Sequence, residues 1–345
     1  MRYVIVSDAW SPQVNGVVQT LTQLRNNLEN KGHEVVMITP DRFKTIACPT
    51  YPEIRLSLFC SRKVKDLIEK SRPSAIHIAT EGPLGLAARN YCSKNNIPFT
   101  TAFHTLFAEY VYARTRLPLS IGYAFLRWFH KNSSTIMVAT QTLEDKLRKR
   151  GFKRISRWTR GIDTNLFHPR EKQLTEFKSP IFMYVGRVAV EKNIQAFLSL
   201  DLPGTKVVVG DGPQRASLQS KHKDVVFVGV KRGEELASYY ASADVFVFPS
   251  RTDTFGLVLL EALASGIPVA AYPVTGPLDV IGNAPVGVLS ENLQSAALQA
   301  LELDPVACRE FAMEFTWDKS VEQFQGNLAH FDTNRVFSRQ EPVEV

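Results

Sequence analysis

Cysteine is scarce: the 345 residues hold four, Cys48, Cys60, Cys92 and Cys308, and no two form a CxxC pair. A disulfide scaffold is thereby excluded, and no zinc or redox motif is signalled. Long apolar runs are missing as well, and none approaches the roughly 18 to 20 residues that a membrane span needs. The opening MRYVIVSDAW turns polar too quickly for a secretory leader, so a cytoplasmic chain is expected. There is no internal repeat and no low-complexity tract. With 44% hydrophobic, 10% aromatic and 22% charged residues, the composition is that of an ordinary folded protein.

What is present divides in two. The length suggests two domains. The charge agrees: residues 1–170 carry 26 Lys and Arg against 12 Asp and Glu, a balance of +14, whereas residues 171–345 carry 15 against 22, a balance of −7. A basic half beside an acidic half implies that one domain meets a polyanion and the other does something else.

The apolar pattern repeats the division. Arg2 to Ser7 reads as a strand, followed by a Pro12/Asn15/Gly16 loop and a helix marked by Val17, Leu21, Leu24 and Leu28. Further strands read at Glu34–Thr39, Ala75–Ile78 and Phe99–Phe103. After a turn-rich linker, Arg160 to Pro180, the alternation restarts with strands at 182–185, 206–209, 225–228, 245–248 and 268–271. Strands alternating with helices predict parallel sheets covered on both faces. An amphipathic helix from Thr316 to about Phe331 closes the pattern.

Strand C-termini and helix N-termini facing one cleft would favour an anion. Gly16, in the first strand-to-helix turn, would let a phosphate approach the backbone, although such a glycine is also a common structural feature. Arg187, after the strand Tyr184-Val185-Gly186, and Lys192, at the start of the next helix, could clamp a diphosphate, the Arg as a fork and the Lys as a point charge. In Pro249 to Gly266 a strand runs into a helix, with Asp253 and Thr254 read as the helix N-terminus and Glu261 two turns in. Asp253 and Glu261 would then stand about 12 Å apart, which suits the two ends of a nucleotide sugar. The bland alternative makes Asp253 an N-cap and Glu261 a solvated residue.

These elements together resemble a known family. Gly186-Arg187-x4-Lys192, the Val209-Gly-Asp-Gly-Pro213 turn, Ala243-Asp244-Val-Phe-Val-Phe-Pro-Ser250 and the segment ending Glu261-Ala-Leu-Ala-Ser-Gly266 are similar, in order and spacing, to the retaining glycosyltransferases of family 4. The likeness runs the length of the chain, through Phe103-His104-Thr105, Arg160-Gly161-Ile162-Asp163 and Phe315-Thr-Trp-Asp. It implies the α/β GT-B fold: two Rossmann-like, doubly wound domains facing across a cleft, with the C-terminal helix returning to the first. The boundaries expected are 1–168 for acceptor binding, 169–315 for nucleotide-sugar binding, 316–332 for the helix and 333–345 for a tail. Residue by residue, the resemblance implies Arg187 and Lys192 on the donor diphosphate, Glu261 on the ribose, Gly16 and the turn Thr254, Phe255 and Gly256 near the phosphates, Lys231 at the nucleotide base, and His104 and Asp253 at the transferred sugar. Asp253 departs from the Glu that many members carry, being one methylene shorter. A nucleotide sugar is the implied co-substrate, with no cofactor and no metal, since cations and a helix dipole replace one and no DxD pair stands at a strand end.

The acceptor must be read from the first half. Residues 146–160 (KLRKRGFKRISRWTR) hold eight Lys and Arg and no acid. Lys146, Arg148, Lys149, Arg150, Lys153 and Arg154, with Phe152, Ile155 and Trp158 interleaved, suit an anionic membrane surface, as does the upstream run Leu117 to Phe129. A lipid acceptor and a peripheral place on the inner face of the cytoplasmic membrane are the expectation, with a soluble or polysaccharide acceptor as the alternative. A nucleic-acid partner is disfavoured by the acidic second half. Dinucleotide-dependent redox chemistry is disfavoured because Gly210-Asp211-Gly212-Pro213 lacks the third glycine of that fingerprint.

Overall fold

The computed structural model describes residues 1–13, 15–48, 51–104, 108–109, 112, 116–253 and 255–337. It divides into two compact units: Met1–Thr159 joined by the segment from Trp317 onward, and Arg160–Thr316 between them.

The first unit contains β1 (Arg2–Val6), β2 (Glu34–Ile38), β3 (Thr45–Cys48), β4 (Tyr51–Ser57), β5 (Ala75–Ile78), β6 (Thr100–Phe103), β7 (Ile136–Val138) and β8 (Ile155–Arg157). Six of them form one sheet in the order β2-β1-β5-β6-β7-β8, with every pairing parallel. β3 and β4 pair antiparallel outside it. Because helices cover both faces, β1 reads Tyr-Val-Ile-Val without a polar break. On one side Val4, Val6, Ile76 and Ile78 meet Val64 and Ile68 of helix Ser61–Ser71 and Leu84 and Ala88 of helix Pro83–Lys94. On the other, Tyr3, Ile5 and Met37 meet Leu21, Leu24 and Leu28 of helix Gly16–Asn30. Val321 and Phe324 of helix Trp317–Asn327 join the same cluster. The C-terminal helix therefore belongs to the first unit, as the resemblance implies.

Trp158 shares that cluster. It is 0% exposed, packs against the tilted Phe324 ring with centroids 5.0 Å apart and donates Nε1–H to Ser320 Oγ at 3.2 Å. Phe152 and Ile155 are buried too. The expectation that Trp158 and its apolar neighbours anchor at a membrane is thus corrected. β8 is an edge strand hidden inside the basic run, and it buries Ile155 while Arg157 is exposed.

The second unit contains β9 (Ile181–Val185), β10 (Thr205–Val209), β11 (Val225–Gly229), β12 (Val245–Phe248), β13 (Val269–Ala271) and β14 (Gly287–Leu289). They form a sheet in the order β11-β10-β9-β12-β13-β14, all parallel. The unit begins at Arg160, where the turn-rich linker starts and nine residues before the expected boundary at 169, and Arg309 ties that stretch to it. Its guanidinium donates to the carbonyls of Phe167 at 2.7 Å, Ala264 at 2.8 Å and Thr164 at 3.0 Å.

Candidate active site

In an open parallel sheet, ligands bind beyond the strand C-termini where the strand order reverses. In the second unit that point lies between β9 and β12. β9 ends at Val185, and the chain leaves it through Gly186 at φ +154°, where a Cβ would come within 2.8 Å of the Tyr184 hydroxyl. The next loop packs on this exit backbone to backbone: a Cβ on Gly210 would lie 1.9 Å from the Gly186 carbonyl oxygen. That contact explains why the turn after β10 is glycine-rich.

The exit loop is held from several sides. Tyr184 donates its hydroxyl to the Arg187 carbonyl at 2.8 Å. Burial, and then the carboxylates of Asp253 and Glu191, hold the Tyr184 phenol well above its ordinary pKa, so it remains a neutral donor. Asn193 adopts a left-handed conformation at φ 51°, and its Nδ2–H donates to Pro249 O at 3.0 Å. Thr252 Oγ1 donates to Glu191 O at 3.1 Å. These ties bring Lys192 to the end of β12, where its ammonium pairs with Asp253 Oδ1 at 2.5 Å. The structure therefore joins the cation of the GR-x4-K element to the first carboxylate of the acidic pair. Asp253 Oδ2 and the Ser250 hydroxyl are buried with no hydrogen-bond partner among the described residues, which leaves polar capacity beside Lys192 for a ligand hydroxyl.

The helix after β12 corrects one expectation. It spans Leu257–Ala264, with Gly256 as its N-cap in the left-handed region at φ 84°. Asp253 stands in the preceding loop, Glu261 lies in the second turn of a short helix, and the helical spacing of about 12 Å does not apply to them. Glu261 is also no solvated residue. It is 2% exposed, and Tyr240, from helix Gly233–Ser242, donates its hydroxyl to Glu261 Oε2 at 2.8 Å. Gly276 packs on the same loop, since a Cβ there would lie 3.0 Å from Phe255 O. Phe255 is buried, and Thr254 lies outside the described residues. Lys231 sits just past β11, its ammonium bonded to Glu235 at 2.5 Å, which raises its pKa. Asn193, Tyr240 and Gly276 escape sequence reasoning because each acts through a contact distant in the chain, and Tyr184 because its bond to the Arg187 carbonyl depends on the turn that the exit loop makes.

In the first unit the order reverses between β1 and β5. Gly16 opens its helix beneath an Asn15 cap, whose Oδ1 accepts from Val17 N and Val18 N at 3.0 Å each. Asp8, after β1, accepts from Thr80 Oγ1 at 2.9 Å, Leu84 N at 2.8 Å and Gly85 N at 3.2 Å. Burial outweighs these bonds and pushes its carboxyl up to about 6. His104 follows β6 with its ring edge-on to Trp158, centroids 5.7 Å apart. Part of the basic run is internally paired: Lys146 holds Glu109 at 2.8 Å, Arg148 holds Glu144 at 2.7 Å, and Arg150 lies 3.9 Å over the Tyr123 ring. Lys149, Lys153 and Arg154 are exposed. Among the described residues no three His, Cys, Asp or Glu side chains gather as a metal site requires, and no helix is long and apolar enough to cross a membrane.

Known proteins agree with this arrangement of motifs. Residues 14–166 match the Glycosyltransferase Family 4 pattern and residues 179–303 the pattern of Glycosyl transferases group 1. A GDP-mannose-dependent alpha-mannosyltransferase of Corynebacterium glutamicum is 30% identical over 318 residues, covering 84% of this chain and 76% of the relative. The chain belongs to glycosyltransferase family 4. It is a glycosyltransferase. Among the other members, an alpha-monoglucosyldiacylglycerol synthase of Streptococcus pneumoniae is 28% identical over 383 residues, covering 98% of this chain and 87% of the relative. Sucrose-phosphate synthase of Thermosynechococcus elongatus shares the fold, with a TM-score of 0.76 at 22% identity over 94% of this chain and 97% of that one. The two parallel-sheet units are thus those of the GT-B fold.

Proposed function

We propose that this family 4 member takes a hexose from a nucleoside diphosphate hexose, UDP- or GDP-linked, and transfers it with retention to a hydroxyl of a membrane lipid. The observation that carries the donor half is the meeting of Lys192 with Asp253 where the second sheet reverses, in the loop that also holds Arg187. In this reading the diphosphate draws the Lys192 ammonium from Asp253. Arg187 and Lys192 then neutralise the negative charge that grows as the C1–O bond to the diphosphate breaks. The acceptor oxygen bonds C1 from the same face, and its proton passes to the departing diphosphate oxygen. Because side-chain cations carry that charge, the reaction proceeds without a metal. Glu261 accepts from the ribose diol, Asp253 turns to the hexose hydroxyls, and Lys231 lies by the base. The roles of Gly16 on the phosphates and His104 at the sugar rest on the family resemblance.

The acceptor half rests on the basic first half of the chain and on the diacylglycerol acceptor in the pneumococcal relative's name. A peripheral place on an anionic membrane follows from it. Incubating the protein with UDP-, GDP- or ADP-hexoses, in the presence of dispersed phospholipid and diacylglycerol or of soluble glycans, tests both halves. A radiolabelled glycolipid formed without added metal is the expected product. Transfer to the soluble glycans alone would replace the lipid by a saccharide acceptor.

A further inference from the structure

Helix Leu119–His130 buries Tyr123, Leu126, Phe129 and His130 and turns an apolar face to solvent. Ile121 is 52% and Trp128 46% exposed, Ala124 is exposed, and Phe125 is partly so. At 100° per residue these four lie within about a third of the helix circumference. Trp128 is held firmly in that place. The Arg89 guanidinium lies 3.9 Å over its ring, donates to the carbonyls of Phe129 at 2.9 Å and Trp128 at 2.8 Å, and Phe125 packs beside it at 5.9 Å between ring centroids.

The chemistry around this face selects its occupant. No acid occurs between Leu117 and Ser134, while Arg127 and Lys131 extend the helix end. The basic turn after residue 149 lies against the same end: Arg127 donates to Arg150 O at 3.4 Å, and Arg154 donates to Lys131 O. The face is therefore an apolar stripe with an aromatic residue, flanked at the helix end by Arg127, Lys131 and Arg154, with the exposed Lys153 next to Arg154 in the chain. A soluble protein seldom leaves such a stripe uncovered. The combination fits a helix lying in the interface of an anionic bilayer, with apolar residues among the upper acyl chains and cations at the headgroups.

We propose that the protein docks on anionic lipid through helix Leu119–His130 and the basic turn behind it, with Ile121 and Trp128 entering the bilayer. This inference rests on the lipid-acceptor reading and narrows the expected membrane contact to this helix and turn, leaving out Lys146, Arg148 and Trp158, which are paired or buried. In co-sedimentation with vesicles of neutral phosphatidylcholine, or of phosphatidylcholine with phosphatidylglycerol, binding is expected only in the second case. Each cation at the surface contributes about fivefold, so a triple Arg127→Glu, Lys131→Glu, Lys153→Glu variant loses about a hundredfold or more. Replacing Ile121 and Trp128 together by Ser loses roughly tenfold or more; Ile121→Ser alone, which leaves the Arg89–Trp128 contact intact, loses part of that, and a thermal melt of each variant checks the fold. In a Trp10→Phe, Trp317→Phe background, vesicles brominated in the upper acyl chain quench the tryptophan fluorescence, and adding Trp128→Phe abolishes that quenching, since the remaining Trp158 is buried. Quenching that survives Trp128→Phe, while vesicle binding persists, overturns the docking face and leaves the lipid acceptor standing. Equal binding to neutral vesicles, or none to either kind, also overturns the docking face. The acceptor is judged separately, by transfer to lipid dispersed in detergent.

Discussion

The hydroxyl of Tyr240 is a small group with a calculable effect. It supplies a hydrogen bond to the buried carboxylate of Glu261, and Tyr240→Phe removes that donor while leaving the ring packed on Phe167 and Phe246. Taking one donor away from a buried acceptor costs about 1–3 kcal/mol. Spread over a unit of 157 residues, Arg160–Thr316, that corresponds to a fall in melting temperature of about 2–12 °C. The same substitution leaves the carboxylate less well oriented for a ribose diol. A hydrogen bond to a charged acceptor is worth about 1.5–3 kcal/mol, so Glu261→Ala should weaken UDP or GDP binding by roughly 10- to 150-fold, with Tyr240→Phe intermediate. Calorimetric titration of each variant with both nucleotides, beside a thermal melt, measures the two effects. Unchanged nucleotide affinity in Glu261→Ala refutes the ribose contact. An unchanged affinity in Tyr240→Phe, with Glu261→Ala impaired, refutes only the positioning role of the phenol.

Three further expectations follow from contacts already described. Arg187→Ala and Lys192→Ala should each lower turnover by about a hundredfold or more, as loss of a charge contact in the transition state does, and near-normal kcat in a steady-state assay would remove the diphosphate clamp. The Asp8 carboxyl, raised from 3.8 to about 6 by burial, favours the folded state when protonated; its contribution is complete below about pH 4 and is lost as pH rises through 6. That contribution amounts to about 3 kcal/mol, so parent and Asp8→Asn melting curves should diverge between pH 4 and 7, and parallel curves would contradict the assignment. Trp158→Ala should cost about 3–5 kcal/mol as a core truncation, visible as a lowered denaturation midpoint, whereas a membrane anchor there would leave the midpoint unchanged.

The strands of both sheets were legible where apolar residues run without interruption, as in Val245–Phe248 and Ala75–Ile78, because a doubly covered parallel strand leaves no polar face to blur the signal. Among the three-residue strands, β13 was legible as an unbroken apolar run after Pro268, whereas β7, β8 and β14 were not, being shorter than any periodicity. β8 is the instructive case: cations at Lys153, Arg154 and Arg157 mask an edge strand whose Ile155 faces the core. Asp253 and Thr254 read as a helix start because both are good caps, yet the helix begins only after Gly256, which takes a backbone conformation that glycine favours. Glu261 stood out through the family pattern, but its partner Tyr240 is 21 residues away on another helix, and no spacing rule connects them.

The chain leaves the first unit at Thr159 and re-enters it at Trp317, and the ends of the segment between are fastened together, Ile162 N donating to Phe315 O at 2.9 Å. The second unit is therefore an insertion with adjacent termini, the arrangement that tolerates circular permutation and domain exchange. Residues 160–316 are thus the natural cassette for exchange with a relative, and Trp158, Ser320 and Phe324 lie outside it. One continuous stretch of gene thereby carries the GR-x4-K loop, Asp253 and Glu261, so a recombination event there would exchange those residues together and leave the rest of the enzyme covalently unaltered.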